Sequence, residues 1–569
     1  MIVTIKEAYV KIFRCFPCSF YGLIVALLLF LTACSSSSSD SASTPPVTPP
    51  PDNGGDVTPP TDPIPNDPLF AHQWHLQNTG QSGHPGHEAK RGEDLNVLPL
   101  WENCPHIGGC RGKGVLVAIV DDGLDINHED LKDNVLTNLN YDFTSHTSGG
   151  DPTPVEDDDA HGTAVAGIIA ARHNNSIGVA GIAGDASLAG YNLLAFDAEA
   201  SDDAMAMILN KEQVWISNNS WGAPDSGHFH VASTLWEEAI EEGLSDGRGG
   251  KGIIYLWAGG NGANEEDRSD YDGMANFHGV MAISALNAQG KRASYSEPGS
   301  NILVSGFAGE YCNDDGLTIT TTDLTGADRG YNRDGGYNDG FEFDNRNYTR
   351  CFNGTSAATP TVAGVVALIL EANPSLTWRD VRKILVTTAR RNDPTSQDWS
   401  QNAAGHWINE NYGFGAVDAD AAVRAAVATQ QLLPAQVISE HLQNAGKIIP
   451  AGESAVSTLN VDASGINKTE FIAIYLTLNV EEGADIGDIG LTLRGPLGTE
   501  NTLAKPRICW DTEEGEQISC GDQDLEGFRF GSVRHFGENP NGEWVLSINN
   551  LVGGTPVELG PWGLEVYGY

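Results

Sequence analysis

Positive charge is scarce in this sequence: 32 Lys and Arg stand against 76 Asp and Glu, a formal net charge of −44. A chain that must neutralise phosphates needs the opposite balance, which excludes nucleic acid as a partner. Outside the first 33 residues there is no Cys-x-x-Cys pair, so thiolate metal binding lacks its usual spacing. No acidic loop has EF-hand spacing. Beyond the first 33 residues no stretch reads as long and apolar enough to cross a membrane. The excess of carboxylate suits an exported, soluble protein, or one that uses oxygen ligands for cations. A chain of 569 residues is too long for one core and implies two folded domains with extra segments.

Nine cysteines are present. Cys15 and Cys18 fall in the N-terminal leader and Cys34 at its end. The other six fall as Cys104/Cys110, Cys312/Cys351 and Cys509/Cys520, which suits three disulfides in an oxidising compartment, with fifteen connectivities open. Residues 1–33 read as an export signal, with Lys6, Lys11 and Arg14 ahead of the apolar run Tyr21 to Leu31. Residues 34–66 are Ser- and Pro-rich with almost no bulky apolar side chains, so a disordered tether is expected.

One stretch organises the rest: Asn353-Gly354-Thr355-Ser356-Ala357-Ala358-Thr359-Pro360, followed by the apolar run Val362 to Leu370. Its periodicity predicts a buried helix, with Pro360 in the first turn and Gly354 allowing the backbone to turn into it. A serine at such a helix start meets the free N–H groups and positive end of the helix. On its own, Ser356 reads as a plain helix cap. A serine becomes a nucleophile when a base and an orienting carboxylate stand beside it. Two upstream stretches supply them: Asp121-Asp122-Gly123, closing the strand-like run Val115 to Val120, and His161-Gly162-Thr163-Ala164-Val165-Ala166-Gly167, opening a helical segment. The chain order is Asp, His, Ser.

Those three motifs in that order resemble the subtilisin-like serine proteases, and more narrowly the kexin/furin (proprotein convertase) branch. The likeness runs from about Asp67 to the C-terminus. Short β-type runs at Val115–Val120, Val214–Ser217 and Gly252–Trp257 alternate with helical ones between 115 and 430, which predicts a doubly wound, mostly parallel α/β sheet with the site at the strands' carboxyl ends. Thr377 to Asp380 predicts a capping box opening a helix to about Thr388. From about 437 the runs Phe471–Val480, Trp544–Ile548 and Trp562–Tyr567 predict an all-β, jelly-roll-like sandwich. The stretch from Ser532 to Trp544 resembles the P (Homo B) domain. The expected domains are therefore a signal at 1–33, a tether at 34–66, a catalytic domain at 67–430 and a sandwich at 437–569. Kexins carry a folded prodomain where this chain has only the tether, so a separate folding chaperone is an expected partner. Leu31-Thr32-Ala33-Cys34 resembles a bacterial lipobox, which implies lipidation of Cys34 and a membrane anchor at the cell envelope or surface.

The resemblance also assigns roles. Ser356 attacks a peptide carbonyl, His161 takes its proton, and Asp121 orients the imidazole. Asn261, in Trp257-Ala-Gly-Gly-Asn-Gly262, occupies the oxyanion-hole position, with the Ser356 N–H as second donor. Asp225 and Asp272 fall at the positions where kexins hold a P1 arginine, Asp122 and Asp158 at S2 positions, and Asp203 near S4, where a second acid is missing because His228 to Ser233 is neutral. This implies cleavage of protein or peptide substrates after Arg or Lys-Arg. Asp67, Asp130 and Asn175, with the carbonyls of Arg172, Ile177 and Val179, match one kexin calcium site; Asp225, Asp267 and Glu297 match a second. Rival readings are a broad-specificity subtilase and a binding protein that uses only the sandwich. Lys90-Arg91 and Lys291-Arg292 are candidate self-cleavage sites, with nicking expected after Arg91.

Overall fold

The computed structural model describes residues 64–569 except 106–107, 336–340, 482, 513, 523 and 552–554. The leader, Cys34 and the tether up to residue 63 lie outside the described residues.

The first half is built on one twisted sheet. Its strands are β1 (Leu116–Val120), β2 (Tyr141–Asp142), β3 (Thr147–Ser148), β4 (Ser187–Tyr191), β5 (Ile216–Asn219), β6 (Ile254–Ala258), β7 (Val280–Leu286) and β8 (Ile302–Phe307). They lie in the order β3-β2-β4-β1-β5-β6-β7-β8, parallel throughout except for the β2–β3 edge pair. Every residue of β1, β5, β6, β7 and β8 is buried, as expected when helices cover both faces of a parallel sheet. The order reverses at β1, which has β4 on one side and β5 on the other, and a crevice opens at the carboxyl ends there. Asp121 is the first residue past β1.

The covering helices are α1 (Leu98–Asn103), α2 (His161–Ala170), α3 (Ala200–Ile208), α4 (Thr234–Gly250), α5 (Thr355–Ala372), α6 (Trp378–Thr388) and α7 (Ala419–Ala428). The capping box at Thr377 and Asp380 is present and opens α6 as predicted. α5 crosses the middle of the domain against β5 to β8 and α2. Among the described residues it is the one helix long and apolar enough to cross a membrane, which corrects the sequence reading. The reason is its burial: a helix apolar all round is also what a large core demands. Two further strands, β9 (Ile319–Thr322) and β10 (Tyr348–Phe352), form an antiparallel pair whose end leads into α5. A short pair follows, β11 (Ser400–Gln401) with β12 (Trp407–Ile408).

From Val437 the chain is all β. The strands are β13 (Val437–Ile449), β14 (Ser454–Val461), β15 (Thr469–Val480), β16 (Ile489–Arg494), β17 (Glu500–Ala504), β18 (Cys509–Asp511), β19 (Glu516–Ile518), β20 (Leu525–Ser532), β21 (Gly542–Asn550) and β22 (Val557–Gly568). Sheets β13-β22-β15-β20 and β14-β21-β16-β17 enclose a second core around Trp544 and Trp562. β14 alternates exposed and buried along its whole length, the period-two pattern of a one-faced strand. The cysteines pair as Cys104–Cys110, Cys312–Cys351 and Cys509–Cys520.

The sandwich grips loops of the α/β domain. The Arg507 guanidinium lies over the rings of Phe229 and Tyr271, 4.4 and 4.3 Å from their centroids, and its Nε donates to the Gly227 carbonyl. Trp510 N donates to Ser226 O at 2.9 Å, and Lys505 N to the Tyr271 hydroxyl at 3.1 Å. Arg379 pairs with Glu470 at 2.8 Å, and His278 stacks on Tyr567 with centroids 4.2 Å apart.

Candidate active site

Asp121 is fully buried at the end of β1, and its Oδ1 accepts from His161 Nδ1 at 2.8 Å and from Asp122 N at 2.9 Å. His161 opens α2. The Asp122 carboxylate caps that helix, accepting from His161 N at 2.9 Å and Gly162 N at 2.7 Å, which seats a negative charge at the positive helix end. Burial disfavours the imidazolium, but the charge and hydrogen bond of Asp121 and the charge of Asp122 outweigh it and raise the His161 pKa above its ordinary value. Burial and the neighbouring Asp121 raise Asp122 in turn.

Ser356 sits in the first turn of α5. Its N–H is one of the first-turn donors with no carbonyl inside the helix. Gly354, at φ +85°, makes the left-handed turn into the helix. Pro360 lies inside α5 rather than in its first turn, and the difference has a consequence. A proline nitrogen cannot donate to the carbonyl four residues back, which is that of Ser356. Ser220, just past β5, fills the gap: its Oγ donates to Ser356 O at 3.0 Å, and Ser356 Oγ donates to Ser220 O at 2.9 Å. The Ser356 hydroxyl is therefore turned to Ser220 rather than to His161, and both side chains line one cavity. Sequence reasoning passed over Ser220; its signal was its position between the β5 run and Trp221.

Asn261 follows β6. Its Oδ1 accepts from Thr355 N at 2.8 Å and Thr355 Oγ1 at 3.0 Å. With the carbonyl end fixed on the helix start, the amide N–H groups are the end left for the cavity beside Ser356. Thr355 was also missed from sequence.

A cavity of about 280 Å³ opens from Ser356, walled by Asp225, Asp272, Asn261, Trp221 and His230. Burial raises the Asp272 pKa, opposed by N–H groups of Ala223, Met274 and Ala275 and by His230. Asp267 and Glu297 line the far end. Asp267 is pushed up to about 7 by burial and by Asp225. Glu297 is driven well above the usual carboxylate range by burial and by the charges of Asp267 and Asp225. A Cβ at Gly260 would stand 2.3 Å from Glu297 Cδ, and one at Gly262 2.8 and 2.9 Å from the Cβ atoms of Asp225 and Asp267. Gly260 and Gly262 are bare because three acids crowd them, and Gly259 because Ile283 O and Ile302 Cδ1 stand 2.7 and 2.9 Å from where its Cβ would be.

Asp67 accepts from Asn174 N at 2.8 Å and Asn175 N at 3.1 Å; Asp130 accepts from Asn175 Nδ2 at 2.6 Å and Val179 N at 3.0 Å. Burial raises both acids. Among the described residues no His, Cys, Asp or Glu trio stands ready-made as a ligand cage; the carboxylates are turned to main-chain N–H groups. Their chemistry nevertheless fits a hard cation. Asp67, Asp130, Asp267 and Glu297 are buried, with Asn175 and Asp225 partly so; each set is rich in oxygen and negative, and among the described residues no Lys or Arg pairs with Asp67, Asp130, Asp225, Asp267 or Glu297.

Asp158 is exposed in the loop before His161, and Asp203 lies on α3; neither lines the cavities at Ser356. Of the dibasic pairs, Lys90, Arg91 and Lys291 are exposed and Arg292 is half-buried. Lys90 pairs with Glu93 at 2.9 Å and its N–H donates to Ala288 O, while Arg292 Nη1 donates to Ser296 O at 2.5 Å.

The chain belongs to the subtilase family: residues 112–415 match it, and residues 473–566 match the proprotein convertase P-domain. It is similar to furin-like protease 1, isoform 1-CRR, of Drosophila melanogaster, at 33% identity over 512 residues, covering 88% of this chain and 41% of that protein. It is similar to kexin of Saccharomyces cerevisiae at 32% identity over 522 residues, covering 88% of this chain and 56% of kexin. The chain thus spans about half the length of these relatives. The crystal structure of a serine protease of Aeromonas sobria superposes with a TM-score of 0.78 at 29% identity, covering 89% of this chain and 96% of that one. The same enzyme crystallised with a chaperone superposes with a TM-score of 0.79. The fold is accordingly a subtilisin-like α/β domain followed by a P-domain sandwich.

Proposed function

We propose that this chain is a calcium-dependent serine endopeptidase that hydrolyses peptide bonds after Arg or Lys-Arg. The observation that carries the reading is the buried Asp121–His161 couple at 2.8 Å facing the same cavity as Ser356, next to a cavity walled by Asp225 and Asp272.

Nδ1–H of His161 points to Asp121, which leaves Nε2 as the lone-pair nitrogen. Rotation of the Ser356 side chain away from Ser220 O brings Oγ to that nitrogen. Oγ attacks the substrate carbonyl carbon as its proton passes to His161. The electron pair displaced onto the carbonyl oxygen is met by the Asn261 amide and the Ser356 N–H, each such donor being worth roughly 3–4 kcal/mol of barrier. His161 then gives the proton to the leaving nitrogen, and water repeats the sequence on the acyl-enzyme. A P1 guanidinium forks onto the Asp225 and Asp272 carboxylates. Asp122 and Asp158 are the P2 contacts in this reading, and Asp203 the P4 contact.

Asp67, Asp130 and Asn175 would hold one calcium, and Asp225, Asp267 and Glu297 a second, where the ion offsets repulsion among acids behind the P1 pocket. The reading also includes a lipid anchor on Cys34 at the cell envelope or surface. A separate chaperone is part of it too, as found with the Aeromonas sobria enzyme.

The test is a panel of peptides with Arg, Lys, Leu or Phe at P1, run with and without EGTA. Cleavage confined to basic P1 and lost in EGTA is expected. Equal cleavage after Leu and Phe would leave a broad-specificity subtilase. No labelling of Ser356 by a fluorophosphonate would remove the hydrolase. Palmitate labelling that disappears in Cys34→Ala checks the anchor.

A further inference from the structure

Two cavities meet at Ser356 and Asn261. The first holds the acids described above. The second, about 360 Å³, is lined by His161, Tyr295, Tyr311, Tyr331 and Phe352, and by Asn353 and Gly354 of the segment entering α5. Ser220, Trp221 and Gly222 line only the first; His161 lines only the second.

That division has a chemical meaning. The imidazole that gives its proton to the leaving nitrogen must face the departing half of the substrate. The acyl half, with its P1 side chain, lies against the acids. The half that leaves therefore runs over His161 and into the second cavity, and its first residue is the one whose side chain enters there.

The two cavities differ in character. Apart from His161, no residue lining the second carries a charge. Its walls are two ring pairs, Tyr295 with Tyr311 at 5.2 Å between centroids and Tyr331 with Phe352 at 5.7 Å, and the imidazole of His161 stands 5.2 Å from Phe352. The walls are braced. The Tyr295 hydroxyl donates to Gly309 O at 2.7 Å and accepts from Gly354 N at 3.0 Å. Tyr331 N donates to Asp323 at 3.1 Å, and Gly330 N to Asp157 O at 2.7 Å, which ties the Tyr331 loop to the loop before His161. The Cys312–Cys351 disulfide joins the Tyr311 loop to the strand that carries Phe352.

We infer that this second cavity is a specificity pocket for the first residue after the scissile bond, and that it takes a large apolar or aromatic side chain. The inference rests on the serine endopeptidase reading. A ring entering the pocket meets ring edges and faces at the spacing aromatic pairs prefer. A charged side chain would shed water there and find no carboxylate, Lys or Arg in the lining, only the imidazole of His161.

The experiment uses the full chain and internally quenched peptides identical except at P1′, with Arg at P1. Active enzyme is first counted by fluorophosphonate titration. Expected kcat/KM for Phe, Tyr or Leu at P1′ exceeds that for Asp or Lys by about tenfold or more. Tyr331→Ala and Tyr311→Ala should each reduce that ratio at least threefold, with every rate divided by the same variant's rate on the Arg-Gly peptide, which places no side chain in the pocket. A flat P1′ profile from an enzyme that titrates and cleaves Arg-Gly would overturn the inference and leave the protease reading standing. If the enzyme titrates but prefers another P1, the basic-P1 reading fails, and the same P1′ series on the preferred P1 still decides the pocket. A preference that survives both Tyr variants also overturns it.

Discussion

The main-chain nitrogen of Asn261 donates to Asp225 Oδ1 at 3.0 Å. In the proposed reading Asp225 therefore joins the P1 wall, the acidic cluster with Asp267 and Glu297, and the loop that carries the oxyanion donor. Asp225→Asn keeps an oxygen acceptor for Asn261 N and removes the charge. Its expected effect is a rise in KM for Arg substrates with kcat largely kept. Asp225→Ala removes both and should lower kcat as well. Loss of a desolvated charge partner costs about 2–5 kcal/mol, so kcat/KM should fall by at least about thirtyfold. Steady-state kinetics on one Arg peptide separate the two variants.

Asn261→Ala should lower kcat by about 10²–10³ with little change in KM, because the amide meets charge that develops only in the transition state. Thr355→Val removes one of the two hydrogen bonds to Asn261 Oδ1 and leaves the one from the Thr355 main-chain N–H, so the amide is held less firmly. A smaller loss of kcat, again at constant KM, is expected. Active-site titration guards against misfolded protein.

His161 works as a base only when neutral. Its folded pKa is raised above the ordinary imidazole value by Asp121 and Asp122 against the effect of burial. The acid limb of kcat/KM should therefore lie above pH 6.5, with activity rising as pH passes through it. Asp122→Asn removes one of the two anions and should move that limb to lower pH. A pH–rate profile in which wild type and variant coincide would contradict the electrostatic account.

Asp267 and Glu297 have folded pKa values above their unfolded ones. The native state binds more protons than the unfolded state between about pH 4 and 7, so without metal stability should fall as pH rises through that window. A cation seated among Asp225, Asp267 and Glu297 removes the repulsion. Calcium should raise Tm by several degrees at pH 7.5 and hardly at all at pH 4.5. Differential scanning calorimetry in calcium and in EGTA at both pH values checks the sign.

Arg507 belongs to the sandwich yet holds the loop of Gly227 beside the P1 wall. Arg507→Ala deletes a buried cation–π contact and a charge-assisted hydrogen bond, together about 2–4 kcal/mol. Lower Tm and a higher KM for Arg peptides are expected, at constant kcat. A change in Tm alone would confine the sandwich to a stabilising role.

The sequence by itself determined which elements form and roughly where they begin and end. Buried parallel strands read as continuous apolar runs, so the β1, β5 and β6 runs were legible to within two residues. The alternation after residue 437 was legible as a sandwich for the same kind of reason. Asp121, His161, Ser356 and Asn261 could be nominated from sequence because each lies just past a strand or in the first turn of a helix, and that is a local pattern. Tertiary structure alone decided what meets what. The partner of the Ser356 carbonyl is Ser220, far away in the chain, because Pro360 withholds the helical donor. The rings of Tyr295, Tyr311, Tyr331 and Phe352 carry no common spacing, and only the loops tied by Cys312–Cys351 and Asp323 bring them over His161. Periodicity reports a residue's own backbone; contacts across long loops depend on how the whole sheet is wound.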